Sequence, residues 1–240
     1  PIFIKNVGQF NQAECTVTVR PGESIQAAID AAPQGAVICL TEGTWQENLK
    51  ITKKLTIRGT GWNKTIIRGG ITIDAEEVTI EGIAILESSW HGITVGAGGA
   101  AIIRSNLISK NQFNGISICG GAQAIVTENI IVDNFRAINI TEGSQALIQK
   151  NVISGNFDGV RLYAVPPESD VIRATIEENE ISSNLGTGIL IVPAPDPHKV
   201  PVDVAIRKNL ITNNIRGVAV YIPPCFDVGP YYGEFVGRVE

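Results

Sequence analysis

The chain is 240 residues long with a formal net charge of −5, and 44% of its residues are hydrophobic. No apolar run approaches membrane-spanning length, so no membrane insertion is expected. Without a basic stripe or aromatic residues interleaved on a basic face, nucleic acid is not an expected partner. The start, Pro1-Ile2-Phe3-Ile4-Lys5, has no signal-peptide pattern, and the absence of Met suggests a trimmed initiator or a mature chain.

Ser24 to Ala32 carries apolar residues at Ile25, Ala28, Ile29 and Ala32, a helical spacing ended by Pro33. Short β-branched runs follow at 49–51, 55–59, 65–67, 71–73, 78–80 and 92–95, enough for about two turns of a repeating structure. Then one phrase recurs five times, from Asn106, Asn129, Asn151, Asn179 and Asn209, each with a second asparagine five residues on. A small residue then precedes a β-branched one, as in Gly115-Ile116, Ala137-Ile138 and Gly159-Val160. Self-similarity at 22 to 30 residues marks a solenoid, in which no repeat buries its apolar face alone.

Laid in register, the copies form apolar columns. One reads Ile103, Val126, Ile148, Ile176, Ile206, and another Ile108, Ile131, Ile153, Ile181, Ile211. A third is Ile116, Ile138, Val160, Ile189, Val218, with Ile118, Ile140, Leu162, Ile191, Val220 two residues on. Three short strands per copy, stacked at about 4.8 Å, make one rung of a parallel β-helix. The expected fold is therefore all-β, a single-stranded parallel β-helix of roughly eight rungs. Residues 1–240 form one domain: a solenoid over 16–222, a capping helix at about 24–32, and an irregular C-terminal cap over 223–240 containing Phe226, Tyr231, Tyr232 and Phe235. The asparagines are assigned to ladders in which stacked amides bond one another and turn carbonyls. Ser105, Glu128, Lys150, Glu178 and Lys208 alternate in charge and are expected to form a solvated ladder worth about 0.2–1 kcal/mol per neighbouring pair.

The stretch from Thr18-Val19-Arg20-Pro21-Gly22 to Ala32-Pro33, with Gly43-Thr44-Trp45-Gln46-Glu47-Asn48-Leu49, resembles the entry segment of pectin-lyase-like right-handed parallel β-helix proteins, which implies a right-handed solenoid here. The Asn and Gly-Ile repeats resemble the carbohydrate-binding and sugar-hydrolase repeats of that superfamily, including its NosD-like members. The resemblance implies a polysaccharide partner, usually acidic, bound along the outside of the strands. It also leans toward an extracellular or periplasmic location without excluding the cytoplasm. Fold alone does not name a reaction. Pectate-lyase-like aspartate clusters for calcium and the polygalacturonase aspartate set are missing. Trp90-His91-Gly92-Ile93 resembles the latter's histidine-glycine segment, yet the repeat itself demands that phrase. Asp196-Pro197-His198 matches the core of alginate epimerases without their tyrosine-glycine lead-in.

Four cysteines (Cys15, Cys39, Cys119, Cys225) lack CxxC spacing and the two histidines are far apart, so neither a metal nor a cofactor is expected. Cys15 and Cys39 either form a disulfide or stay buried thiols, and this leaves the compartment open. In the same register, the residue before the small turn residue runs His91, Asn114, Arg136, Asp158, Thr187, Arg216. The outward sets beyond it include Asn139, Arg161, Tyr163 and Tyr221. Insertions at 164–173 and 193–203, the latter holding His198, flank this face. Arg136, Asp158, Arg161, Tyr163 and His198 are the candidate catalytic residues, and Asn114, Asn139 and Tyr221 the candidate substrate-binding ones. An arginine there neutralises a uronate carboxylate and acidifies the adjacent C–H, while Tyr163 or His198 moves protons. A lyase or C5-epimerase fits better than a glycoside hydrolase, which needs two facing carboxyl groups. A non-catalytic carbohydrate-binding module, or a structural β-helix with Arg136 and Asp158 as a plain ion pair, are the alternatives.

Overall fold

A computed structural model describes residues 14–96, 98–164, 171–193, 202–221 and 235–239. The strands form three parallel sheets of ten, eight and eight strands, each rung contributing one strand to each sheet in turn. All the expected columns are in register: Ile148 pairs with Val126 and Ile176, Ile153 with Ile131 and Ile181, and Val160 with Ile138 and Ile189. Their interior side chains are 0% exposed at Ile148, Ile153, Ile138 and Val160. This is the consequence of a side-chain period of two meeting a rung period that returns each position to the same face.

The corners are made by the asparagines. In the first ladder, Nδ2 of Asn106, Asn129, Asn151 and Asn179 donates to Oδ1 of the next asparagine at 2.9–3.1 Å. Asn111, Asn134, Asn156 and Asn184 repeat this in the second ladder at 2.8–3.1 Å. Each Oδ1 also accepts the backbone N–H of the preceding asparagine, as Asn151 does from Asn129 at 3.0 Å. Buried amides that satisfy one another and the turn carbonyls hold the corner with no orphaned group.

One expectation fails at these corners. Glu128, Lys150, Glu178 and Lys208 form no ion pair within 4.0 Å among the described residues; the one contact in that column is Ser105 Oγ to Glu128 Oε2 at 3.4 Å. What the five positions share is backbone conformation, with φ between 55° and 58°. All five side chains are exposed, so solvent screens the alternating charges and little is gained by pairing them. Ion pairs form instead on the preceding outward position of the first sheet, where Glu81, 8% exposed, bridges Arg58 and Arg104.

At the N-terminal end the helix Ile25–Ala31 covers the stack with Ile25 and Ile29, both buried. Its N-cap Ser24 accepts from Ala27 N at 3.1 Å, and the Glu47 carboxylate accepts from Ile25 N and Gln26 N at 3.2 and 3.0 Å. Two capping oxygens and a favourable end charge explain a helix of only seven residues here. Cys15 and Cys39 are joined in a disulfide. Of the expected C-terminal cap, Phe235–Val239 lies among the described residues and adds a parallel strand to the first sheet beside Val202–Arg207. No helix among the described residues is long and apolar enough to cross a membrane.

Candidate functional site

The third sheet carries the polar cluster on its outer face. Asn114 begins the strand Asn114–Ile118, Arg136 begins Arg136–Thr141, and Asp158 begins Asp158–Tyr163, and the three are register neighbours on successive rungs. Two outward positions later, Asn139 stands beside Arg161, and Thr141 beside Tyr163. The rung repeat thus brings Asn114, Arg136, Asn139, Asp158, Arg161 and Tyr163 onto one patch. Tyr221 is exposed and follows the last strand of this sheet, two rungs beyond Tyr163. His198 lies outside the described residues, as do Asp196 and most of both flanking insertions.

Arg136 Nε lies 3.8 Å from Asp158 Oδ2, an ion pair too long for a hydrogen bond. Asp158 is 4% exposed and its Oδ1 accepts the Thr187 N–H at 3.0 Å, so one oxygen is held by the backbone and the other faces Arg136. The Arg136 guanidinium rests over the Phe135 ring at 4.4 Å, and that of Arg161 over the Tyr163 ring at 4.1 Å. Stacking on an aromatic face fixes a planar cation with its edge free for a carboxylate. Burial pulls Arg161 below the ordinary guanidinium value, the Arg136 charge adds to this, and Tyr163 and Asp158 oppose it. Burial lowers Arg136 likewise, against the pull of Asp158. Both remain charged, and their proximity makes a locus at which an added anion relieves repulsion.

Three buried atoms of this patch have no hydrogen-bond partner: Asn114 Oδ1, Arg136 Nε and Asn139 Oδ1. Asn114 is 4% exposed and Asn139 8%. Buried polar atoms in folded proteins are nearly always paired, so three unpaired ones on one outer face set this patch apart from the asparagine ladders. The Cys119 thiol, at the end of the same face, is pushed up by burial and then by Glu142 and Asp74, which leaves it a poor nucleophile at neutral pH. Among the described residues no three His, Cys, Asp or Glu side chains converge as a metal site. Shallow depressions of the described surface lie nearer the N-terminal end, one lined by Gln46, Glu47, Asn48, Arg68 and Glu87, and none of these residues belongs to the polar patch.

The family described as the right handed beta helix region matches residues 69–222 of this chain, well over half of it. The chain belongs to the right-handed β-helix family. Comparison with curated proteins found no match. Solved structures of this β-helix type include the A-module of a mannuronan C-5 epimerase from Azotobacter vinelandii, 15% identical, with 82% of this chain and 69% of that chain covered and a TM-score of 0.59. A pectin methylesterase from Erwinia chrysanthemi is 13% identical, with 84% and 81% covered and a TM-score of 0.63. A pectate lyase is 10% identical, with 89% and 80% covered and a TM-score of 0.59. At these identities the likeness is one of fold.

Sequence reasoning overlooked the position just before the polar row, where this β-helix carries Trp90, Phe113, Phe135 and Phe157. The four rings are exposed, and each lies next to its successor: Trp90 with Phe113 at 4.1 Å between centroids, Phe113 with Phe135 at 6.5 Å, Phe135 with Phe157 at 5.3 Å. Counting forward from the ladder asparagines hides this column, because Phe113 is two residues after Asn111 whereas Phe135 is one after Asn134. Counting back from Gly92, Gly115, Ala137 and Gly159 aligns all four rings.

Proposed function

We propose that this chain binds an acidic polysaccharide along the outer face of the third sheet, where Arg136 and Arg161 receive the sugar carboxylates and Asn114 and Asn139 the hydroxyls. The observation that carries this reading is the group of orphaned buried atoms, Asn114 Oδ1, Asn139 Oδ1 and Arg136 Nε, beside two stacked guanidiniums. The named activities of the similar folds, on mannuronan, pectin and pectate, support a polymer of this class. The Cys15–Cys39 disulfide supports an oxidising, extracellular or periplasmic setting.

The chemistry this patch fits is removal of the proton beside a uronate carboxylate. An arginine bound to the carboxylate withdraws charge from the adjacent carbon and stabilises the carbanion that forms there. Tyr163, fixed under Arg161, is the described group placed to move that proton. Return of a proton from the opposite face would invert the carbon, as in an epimerase. Loss of the neighbouring glycosidic oxygen with its electron pair, which then takes a proton, would leave a carbon–carbon double bond, as in a lyase. Hydrolysis by paired carboxyl groups is not favoured, because the buried Asp158 carboxylate is already engaged by the Thr187 N–H and by Arg136.

Incubation with polygalacturonate, alginate and a neutral glucan, followed at ultraviolet wavelengths for unsaturated uronates and by NMR for inverted C5 centres, tests the reaction. Affinity measured in parallel tests the binding. Arg161→Ala is expected to weaken a uronate polymer by about tenfold or more, the loss of one charge-assisted contact. Equal affinity of Arg161→Ala and the parent would remove Arg161 from the site. A parent that binds a uronate polymer without altering it would leave a carbohydrate-binding module in place of an enzyme.

A further inference from the structure

The second sheet runs from Gly43–Trp45 to Leu210–Thr212, with an asparagine ladder along each side. Two of its strand positions face outward. The first holds Ile66, Ala84, Leu107, Ile130 and Val152 on five successive rungs, with Leu210 on the last. The second adds Leu86 and Val132 among serines. The outer faces of the other two sheets carry Arg58, Glu81 and Arg104, or Arg136, Asp158 and Arg161. Ile130-Ile131-Val132 is apolar at all three positions, which is how a parallel strand reads when both of its faces are covered. Yet Val152 is 38% and Leu210 58% exposed, and Ile66, Leu86, Leu107, Ile130 and Val132 are only partly buried. From Gly82 to Asn209 each corner entering this sheet is two residues long, so no insertion on those corners shields the face. A contiguous apolar strip of this kind marks a site of contact.

The charges along its rims decide the occupant. Glu128, Lys150 and Glu178 line the entering corners, and Glu87, Lys110 and Asp133 the leaving ones. Mixed signs suit neither an anionic lipid surface nor a charged polymer, and aliphatic rows offer a sugar few hydrogen bonds. The face does complement itself. A two-fold axis along the strands, midway between Leu107–Ser109 and Ile130–Val132, overlaps all eight strands of two copies. It sets Leu107 on the partner's Ile130 and Ala84 on the partner's Val152. Lys110 then faces the partner's Asp133 twice over, and neither forms an ion pair within its own chain among the described residues. Glu180, the one charge in the aliphatic row, falls beside the partner's Arg68. Moving the axis onto either middle strand opposes Lys110 or Asp133 with its own copy. A parallel pairing sets the aliphatic row on the serine row and Glu128 towards the partner's Asp133.

We infer that the second sheet is a self-association face, on which two copies pack sheet to sheet with their solenoid axes antiparallel. Eight rungs at about 4.8 Å and a width of about 15 Å give roughly 600 Å² per copy, or about 1,200 Å² in all. That is the low end for a stable interface, so the dimer forms reversibly and at micromolar concentration or above. The outer face of the third sheet stays open on both copies. The inference therefore stands or falls apart from the polysaccharide reading.

The test is sedimentation velocity of the parent from low micromolar to near-millimolar concentration, with circular dichroism and a thermal melt to check that each variant folds. The parent is expected to pass reversibly from monomer to dimer. Ile130→Lys puts a charge at the centre of the face and is expected to weaken the dimer about tenfold or more. Ile130→Thr keeps the β-branched shape and serves in its place if the lysine variant does not fold. Lys110→Glu sets two like-charge pairs across the axis, with an expected loss of about three- to tenfold. Lys110→Glu/Asp133→Lys exchanges the signs and should return the dimer to near parental strength. Lysine already occupies this left-handed corner conformation at Lys110, so position 133 can accept it. A parent that stays monomeric throughout overturns the inference, as does a dimer that the Ile130 variants leave intact. A dimer that Lys110→Glu weakens and the exchange fails to restore overturns the antiparallel pairing, and with it the case for a second copy. A monomeric parent that floats with phosphatidylcholine vesicles, and ceases to in Ile130→Lys, would give the face to lipid instead.

Discussion

Asparagine occupies two regions of this molecule under opposite conditions. In the ladders, Asn151 is 1% exposed and fully used: Nδ2 reaches Asn179 Oδ1, Val126 O and Gln149 O, each at 2.9 Å, and Oδ1 accepts from Asn129 N and Nδ2. On the outer face of the third sheet, Asn114 and Asn139 are nearly as buried, yet the Oδ1 of each has no partner. The same side chain at similar burial is thus a structural element in one place and an unfinished one in the other. Burial alone does not tell these roles apart; completeness of hydrogen bonding does.

The sharpest way to break this comparison is Asn151→Ala. It removes one member from the middle of a ladder and strands the Asn129 amide and two turn carbonyls. A loss of about 1–3 kcal/mol is expected, which in a chain of this size lowers Tm by several degrees. Urea unfolding would measure it, and an unchanged midpoint would contradict the ladder account.

A smaller effect of opposite sign is expected one residue earlier. Lys150 sits at φ 56°, a conformation that costs an L side chain energy, and Gly155 shows that the chain already accepts glycine at the equivalent position before Asn156. Lys150→Gly is expected to be neutral or to raise stability by up to about 1 kcal/mol. A loss of 1 kcal/mol or more would mean that the lysine makes an interaction the φ explanation omits.

Most of the fold was legible in the sequence because it is repetitive: a column such as Ile116, Ile138, Val160, Ile189 appears once the Gly and Ala turns are aligned, and stacking preserves it. The polar row from Asn114 to Asp158 was legible for the same reason. The aromatic row beside it was not, since Phe113, Phe135 and Phe157 stand in the turn one residue before the strands begin, outside the strand periodicity. The charges at Glu128, Lys150 and Glu178 misled for a physical reason, as fully solvated side chains gain little from pairing whatever their signs. Nor does sequence reveal orphaned atoms. Asn139 reads as any outward polar residue until its empty Oδ1 is seen.

Acid sensitivity offers a further contrast between the outer face and the ladders, whose amides do not titrate. Burial pulls His91 below its ordinary value, so between that value and the folded one the unfolded chain takes up a proton that the native chain resists. Stability present above about pH 6.5 is therefore lost as pH falls through the folded value of His91. Other groups titrate as well, so the measurement is a difference: Tm at pH 7 and pH 5 for the parent and for His91→Gln. The parent should drop further, and equal drops would show that His91 bears its proton freely in the fold.

The smallest expected effect on stability makes the most pointed test. Asn139 is 8% exposed, and its column holds Thr94, Ser117 and Ala219 on other rungs, so the backbone there tolerates short side chains. Asn139→Ala removes an acceptor that has no donor, which relieves a desolvation penalty and loses some packing. The two are of similar size, and a net change within about 0.5 kcal/mol is expected. Set against Asn151→Ala, this separates a satisfied asparagine from an unsatisfied one by stability alone, with no ligand present. A cost at Asn139 as large as at Asn151 would mean that Oδ1 already has a partner in solution, and the orphaned-atom argument for a ligand at this face would fail. A neutral change in stability with weakened uronate binding would place the missing partner on the sugar.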